Sequence, residues 1–265
     1  MPLTDRITFV VPVLDRKVLT DNFLASPCFQ GPHPHQVIVQ QHFRAASLAY
    51  NDGLRRAENE LVIFSHSDMF FPENWINQLG RALQRLEQTD PNWGVLGCFG
   101  ATREGEYRGH IYSSGWGIIG RPFEDPEPVQ TLDEIVLIVR KNAGLRFDTE
   151  LPGFHFYGTD ICMRAAARGM RSYAIPAFCV HNTVQLLRLP RDFYKSYTYI
   201  RRTWKRALPI HTSCIRVSRF SVEMYRRRIK EAIRSLAGWD GVPVGRARDP
   251  FRIWKELQGE LGANG

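Results

Sequence analysis

Apolar residues in the first hundred positions fall in short β-branched runs separated by stretches of helical spacing. Ile7 to Val13 (ITFVVPV) is one such run, stopped by Leu14-Asp15-Arg16, and Gln36 to Gln40 (QVIVQ) is another. Both have the length and residue types of buried strands. Between Ala45 and Ala57 the alanines, Leu48 and Leu54 suit a helix, and Glu60 to Ser65 follows as a third strand at the spacing of a βαβ alternation. That spacing predicts parallel pairing. From Glu73 to Glu87, Ile76, Leu79, Leu83 and Leu86 recur at helical intervals behind Pro72, which favours a helix start just after the proline. Trp93 to Phe99 is a fourth apolar run.

Periodicity fails from Gly100 to Gln130, where glycine, aromatic and charged residues mix, and a long, partly ordered loop region of the kind that carries recognition is expected. Leu132 to Arg140 resumes as a strand. Asp160 to Arg168 reads as a short helix ended by Gly169, and Arg171 to Ile175 as a strand closed by Pro176. A main domain over residues 1–190 and an extension over 191–265 follow from this pattern. The extension opens with RDFYKSYTYIRRTWKRALP and continues into a helix from about Cys214 to Trp239. In that helix Val222, Tyr225, Ile229, Ala232, Ile233 and Leu236 share one face, with Arg226, Arg227, Arg228, Lys230 and Arg234 largely off it. Two readings stay open: the apolar face packs on the body, or it lies on a membrane surface.

Composition narrows the class. A chain of 265 residues with 43% hydrophobic content can bury a sizeable core. The five cysteines are scattered and never in C-x-x-C spacing, which argues against a disulfide framework or a zinc ribbon and favours a reducing cytosol. No apolar stretch approaches the roughly 20 residues of a spanning helix, and MPLTDRITFVV lacks the organisation of a secretory leader. The protein is therefore expected to be cytoplasmic, neither secreted nor integral. Its net charge of +8 is unevenly placed: residues 191–265 hold 17 Lys+Arg against 7 Asp+Glu, leaving 18 against 20 for residues 1–190. A near-neutral body makes nucleic acid an unexpected partner, whereas the basic tail suits an anionic surface such as the inner face of a membrane.

Three constellations could carry chemistry. In open α/β sheets ligands bind beyond the carboxyl ends of the strands, and His66-Ser67-Asp68 sits at such an end if the third strand is parallel. A carboxylate there can hold a divalent cation near a nucleotide diphosphate, or Ser67 and Asp68 can simply cap a turn. In FHFYGTDICMRAAARG, Asp160 opens a helix, where it is either an N-cap or a base that takes a proton from a hydroxyl. His181, after the apolar run AFCV, is a structural histidine or a metal ligand.

In order, these features resemble the GT-A fold of glycosyltransferase family 2. VVPVLDR resembles the family's opening strand, SLAYNDGLRRAENELVIFSHSDMFFPENW its helix, strand and D-x-D-like segment, and FDTELPGFHFYGTDICMRAAARGMRSYAIPAFCVHN its late acidic helix start, strand and histidine. A bacterial branch described from streptomycin biosynthesis, with H-x-D in place of D-x-D, is similar. The resemblance implies an α/β, Rossmann-like fold with a mostly parallel central sheet flanked by helices, followed here by the basic helical extension. It implies transfer of a sugar, with inversion, from a nucleotide-diphosphate sugar to a hydroxyl of a glycan or glycoconjugate. Asp68 would bind the metal, with His181 as a second ligand, and Asp160 would be the general base. Val11, Pro12, Val13, Asp15, Gln40, Asn51, His66 and Ser67 would border the donor. Trp116, His155 and Tyr157 are candidates for the acceptor side, and Phe154 and Phe156 could stack on a sugar or belong to the core. A histidine ligand would favour Mn²⁺ over Mg²⁺.

Two other classes compete. A noncatalytic sugar- or nucleotide-binding relic would keep the fold and Asp68 but transfer nothing. A sugar-nucleotidyltransferase shares the architecture, but normally has a glycine-rich loop after its first strand, and Leu14-Asp15-Arg16-Lys17 contains no glycine.

Overall fold

The computed structural model describes residues 3–30, 33–184, 188–237, 245–246 and 249–262. The chain begins β1 (Ile7–Pro12), α1 (Arg16–Asp21), β2 (Gln36–Gln40), α2 (Ala46–Arg56), β3 (Leu61–Ser65), β4 (Met69–Phe70) and α3 (Trp75–Thr89). There follow β5 (Val95–Gly97), β6 (Phe99–Ala101), β7 (Tyr107–Ser113), β8 (Gly117–Gly120), β9 (Glu127–Val129), β10 (Thr131–Leu132) and β11 (Val136–Arg140). The last elements are α4 (Tyr157–Ala166), β12 (Ser172–Ala174), β13 (Val180–His181), α5 (Arg191–Thr203), α6 (Val222–Leu236) and α7 (Pro250–Gly262).

The main sheet runs in the order β2-β1-β3-β11-β5-β12-β9. The expected βαβ unit is present, with β1 parallel to both β2 and β3, so Pro12, Gln40 and Ser65 end on one edge. Gly53 of α2 faces Val10 so closely that a Cβ there would lie 2.2 Å from its Cγ1, which fixes how α2 lies on β1. The sheet is mixed beyond β3, because β11 is antiparallel to both β3 and β5. Val136–Val139 is wholly buried, as a central strand must be, but an unbroken apolar run carries no information about strand direction. Two apolar clusters, one on each face, form the core: Phe9, Phe71, Trp75 and Leu79 on one, Tyr50, Phe64, Tyr157 and Ile161 on the other.

The stretch 100–130 is more regular than its composition implies. β6 to β9 lie in it, and β10, β6, β7, β13 and β4 build a second sheet to which β8 adds as a hairpin on β7. The run Trp93–Phe99 is divided between the two sheets as β5 and β6. In β7 the buried positions are Gly109, Ile111 and Ser113, so the strand alternates in burial without alternating in hydropathy. Gly109 is required: its φ is +130°, and a Cβ would stand 2.3 Å from the Cys98 carbonyl oxygen.

The boundary expected at residue 190 does not separate two cores, since Phe193, Tyr197 and Ile200 of α5 are buried with the helices of the body. Of the two readings of helix α6, packing of its apolar face on the body is not what the described residues show. Met224, Arg227 and Glu231 face the body, with Glu231 accepting from Tyr194 Oη at 2.8 Å. At 3.6 residues per turn, the stripe Val222-Tyr225-Ile229-Ile233-Leu236 lies roughly opposite, and all five are exposed, Ile229 at 60% and Leu236 at 90%. Of the expected helix, Gly238 and Trp239 lie outside the described residues. Helix α7 returns to the body, where Ile253 and Leu257 pack with Phe70, Phe178 and Val180, and Trp254 Nε1 donates to Glu73 at 2.8 Å.

Candidate functional site

Strand β3 delivers His66 and Asp68 at its carboxyl end, and the chain then enters β4, which pairs with β13 through His181↔Met69. This pairing places His181 beside Asp68 although 113 positions separate them. The Asn182 N–H donates to the Asp68 carbonyl at 2.9 Å, and the Asn182 amide in turn donates to Asn22 Oδ1 at 2.7 Å. The backbone around Asp68 is thereby tied to both α1 and β13.

One potential ligand atom from each of His66, Asp68 and His181 lies within 4.8 Å of the other two. Asp68 Oδ1 is 3.4 Å from His181 Nε2 and 4.0 Å from His66 Nδ1. The hydrogen bonds behind the rings decide what each imidazole presents. Tyr157 donates its only hydroxyl proton to the Glu134 carbonyl oxygen at 3.0 Å, so its oxygen accepts from His66 Nε2–H at 2.8 Å. His66 Nδ1 is then the bare lone pair facing Asp68. His181 Nδ1 lies 3.4 Å from Ser113 Oγ, while Nε2 is buried without a hydrogen-bond partner among the described residues. An unsatisfied buried nitrogen, a second free imidazole lone pair and a carboxylate oxygen converging on one point fit a divalent cation. Burial would raise the Asp68 carboxyl, but the neighbouring His181, His66 and Arg246 outweigh it and hold the group well below the ordinary carboxylate range. Burial also lowers the His66 imidazole, against the pull of Asp68, and so favours the neutral form a ligand needs.

The other expected donor residues divide into rim and scaffold. Val11 and Val13 are core residues, leaving only backbone and the half-buried Pro12 toward the edge. Asp15 is exposed and accepts the Lys17 N–H at 2.8 Å as the cap of α1. Ser67 is half-buried between His66 and Asp68. Gln40 is buried, its Nε2 donating to Ala49 O and Asp52 Oδ2. Asn51 exchanges both amide hydrogen bonds with the Phe147 backbone, at 2.8 and 3.0 Å. These last two side chains join elements and have no donor face free.

Asp160 is also placed differently from the expectation of a base. It is fully buried, with Oδ2 accepting from Arg164 Nε at 2.6 Å and Oδ1 from Trp204 Nε1 at 2.8 Å. Arg164 also holds Asp148, which accepts from Tyr199 as well. Burial raises the Asp160 carboxyl despite these partners. Both oxygens are engaged and neither meets solvent, so this carboxylate fastens α4 to α5. The signal was in the sequence: Arg164 follows by four residues, one helical turn.

On the acceptor side, Tyr157 is buried and serves His66. Trp116 is 71% exposed at the β7–β8 turn, three residues after Ser113. His155 is half-buried, its Nε2 3.8 Å from Asp192 Oδ1, while Phe156 is buried against Phe193 and Phe154 is exposed. Phe156 adopts φ +64°, a left-handed conformation that a non-glycine residue rarely accepts, at the start of α4. Sequence patterns missed Arg246, Glu134 and Ser113; the first is one basic residue among many, and the others lie in segments without periodicity. A separate hollow of about 610 Å³, lined by Arg108, Glu127, Met170 and Arg171 among others, shares no residue with the histidine–aspartate group.

Comparison with solved structures finds GalNAc-T7 with UDP, GalNAc and Mn²⁺, 10% identical, covering 86% of this chain and 54% of that one, with a TM-score of 0.50. The fold is GT-A. Staphylococcus aureus TarS (residues 1–349; 16% identical, 74% of this chain, 64% of that one, TM-score 0.42) and the mannosyltransferase PcManGT of Pyrobaculum calidifontis with GDP-Man and Mn²⁺ (16%, 74%, 60%, 0.43) are more distant in shape. No protein-family model matches the chain. Among curated proteins, "ATP synthase subunits region ORF 6" of Fuscovulum blasticum is 33% identical over 128 residues, 46% of this chain. The match spans about half (51%) of that relative.

Proposed function

We propose that this chain is a metal-assisted, inverting glycosyltransferase of the family 2 type, moving a sugar from a nucleotide-diphosphate sugar to a hydroxyl of a glycan or glycoconjugate. The observation that carries this is the convergence of His66 Nδ1, Asp68 Oδ1 and His181 Nε2 at the carboxyl edge of a GT-A sheet. Two imidazoles and one carboxylate suit Mn²⁺ better than Mg²⁺, which prefers oxygen. A cation bound there supplies charge neutralisation for the departing diphosphate. His66 and His181 provide neutral donors, Asp68 the anionic one, and Tyr157 and Ser113 hold the rings in place.

In the transfer, the bond from the anomeric carbon to the phosphate oxygen breaks and its electron pair leaves on the nucleoside diphosphate. The acceptor oxygen bonds the same carbon from the opposite face and gives its proton to a base or to water. Asp160, enclosed by Arg164 and Trp204, is in this account the lock between α4 and α5. Pro12, Asp15 and Ser67 border the donor, and Trp116 and His155 face the acceptor.

The outward stripe of α6 gives the protein a second surface. Arg226 and Lys230 flank the exposed apolar residues on one side and Arg228 on the other, the pattern of a helix that lies in an anionic membrane interface. A cytoplasmic protein peripheral on the inner face of the membrane fits this arrangement. Binding to vesicles of mixed neutral and anionic lipid should fall at least tenfold in the double variant Ile229→Glu/Ile233→Glu; equal binding of both proteins removes the membrane role.

The enzymatic role is tested by nucleotide release from UDP-, GDP-, dTDP- and CMP-sugars, with and without Mn²⁺. Turnover of one donor that Mn²⁺ stimulates and Asp68→Ala abolishes is expected. Donor binding without turnover, in the presence of sugar acceptors, would favour the noncatalytic relic instead.

A further inference from the structure

The carboxylate at the centre of the site divides its two oxygens between different partners. Oδ1 faces His66 and His181, whereas Oδ2 is 3.3 Å from Nη2 of Arg246, a residue 178 positions away. Helix α7, which follows Arg246 in the sequence, is anchored beside the same site. Ile253, Leu257 and Phe251 meet Phe70, Phe178 and Val180; of these Phe70 lies on β4 and Val180 on β13, the strands that carry Asp68 and His181 to each other. Trp254 stacks on Phe178 with ring centroids 5.5 Å apart and is bonded to Glu73 at the start of the α3 segment. Helix α7 is thus docked at the edge of the site, and Arg246, from the same C-terminal part of the chain, brings a basic side chain to Asp68.

A guanidinium on Oδ2 and a cation on Oδ1 would place more positive charge around Asp68 than one carboxylate can balance. Neutral imidazoles add none. The group that would balance it is an anion bound between the two, and a diphosphate is the anion whose oxygens can take a metal and a guanidinium fork together. Arg246 is 37% exposed in its side chain, so a ligand can reach it.

We propose that Arg246 is a donor-binding residue: held beside Asp68, it grips the diphosphate of the nucleotide sugar and stabilises the leaving nucleoside diphosphate. This rests on the nucleotide-sugar reading of the site. It gives the C-terminal part of the chain a residue in the donor site, separate from any role of α6 on a surface.

Calorimetric titration tests it with three probes: Mn²⁺ alone, UDP or GDP with Mn²⁺, and the corresponding nucleoside. Arg246→Ala should bind Mn²⁺ and nucleoside as the wild type does, and bind the diphosphate about 10- to 100-fold more weakly, the range for a lost hydrogen bond to a charged group. Arg246→Lys, which keeps the charge but not the fork, should fall between them. Undiminished diphosphate affinity in Arg246→Ala overturns the assignment and leaves the metal site standing. Tighter binding of Mn²⁺ and diphosphate by Arg246→Ala also overturns it, because Arg246 would then be a plug that competes with the ligands. If the wild-type protein binds Mn²⁺ but neither nucleoside diphosphate, the nucleotide-sugar reading fails and the role of Arg246 fails with it.

Discussion

Replacing Tyr157 with phenylalanine removes one oxygen atom and tests how the metal-facing group is held. The Tyr157 hydroxyl accepts from His66 Nε2 at 2.8 Å and donates to the Glu134 carbonyl at 3.0 Å. Its loss leaves one N–H and one C=O without that partner, each worth about 1–3 kcal/mol when sealed from water. The His66 side chain is 34% exposed and can recover a water, so a stability loss of about 1–2 kcal/mol is expected. The larger effect falls on cation affinity. A hydrogen bond that fixes the orientation of a ligating histidine is worth about 10- to 100-fold in metal affinity. Mn²⁺ titration of folded Tyr157→Phe should therefore show a drop in that range, with urea unfolding measured alongside. If the variant loses stability but binds Mn²⁺ as tightly as wild type, the tyrosine serves packing alone and His66 is not a ligand.

Two further variants address carboxylates that the site does not use directly. Asp160→Asn should cost stability, less than the roughly 3–5 kcal/mol of a broken buried ion pair because Arg164 is partly exposed and keeps Asp148, and should leave donor turnover by the folded protein intact; normal stability with abolished transfer would restore the base role. Glu134 is raised well above the ordinary carboxyl value, first by burial and then by Asp133, against backbone N–H groups of residues 156–158 at the α4 N-terminus. A carboxyl raised on folding contributes stability that is full below its unfolded value and is lost as pH rises through the folded one. Glu134→Gln should therefore flatten the decline of melting temperature as pH rises above the ordinary carboxyl value, and curves that stay parallel to wild type would contradict the shift.

Much of the first half of the fold was legible because local pattern and tertiary structure agree there. The β2-α2-β3 alternation gave parallel strands, and parallel strands place a functional group at their carboxyl ends, which is where His66 and Asp68 are. His181 was visible as a candidate because a short apolar run ends on it. The direction of β11 was hidden, since a run buried on both faces looks the same either way. The β7 strand was hidden for the opposite reason: glycine and serine occupy buried places where a pattern search looks for large apolar residues. At α6 the apolar periodicity was read correctly, but periodicity identifies a face without saying what covers it. Arg246 illustrates the limit most plainly, because 178 positions of chain separate it from the aspartate it meets.

Anomalous diffraction from crystals grown with Mn²⁺ and the nucleoside diphosphate of the preferred donor tests the central claim most directly. A single manganese peak bounded by His66 Nδ1, Asp68 Oδ1 and His181 Nε2, with the diphosphate on its open side, is the predicted result. Nucleotide bound with the peak elsewhere, or with His66 and His181 turned away from it, would contradict the metal-assisted donor site.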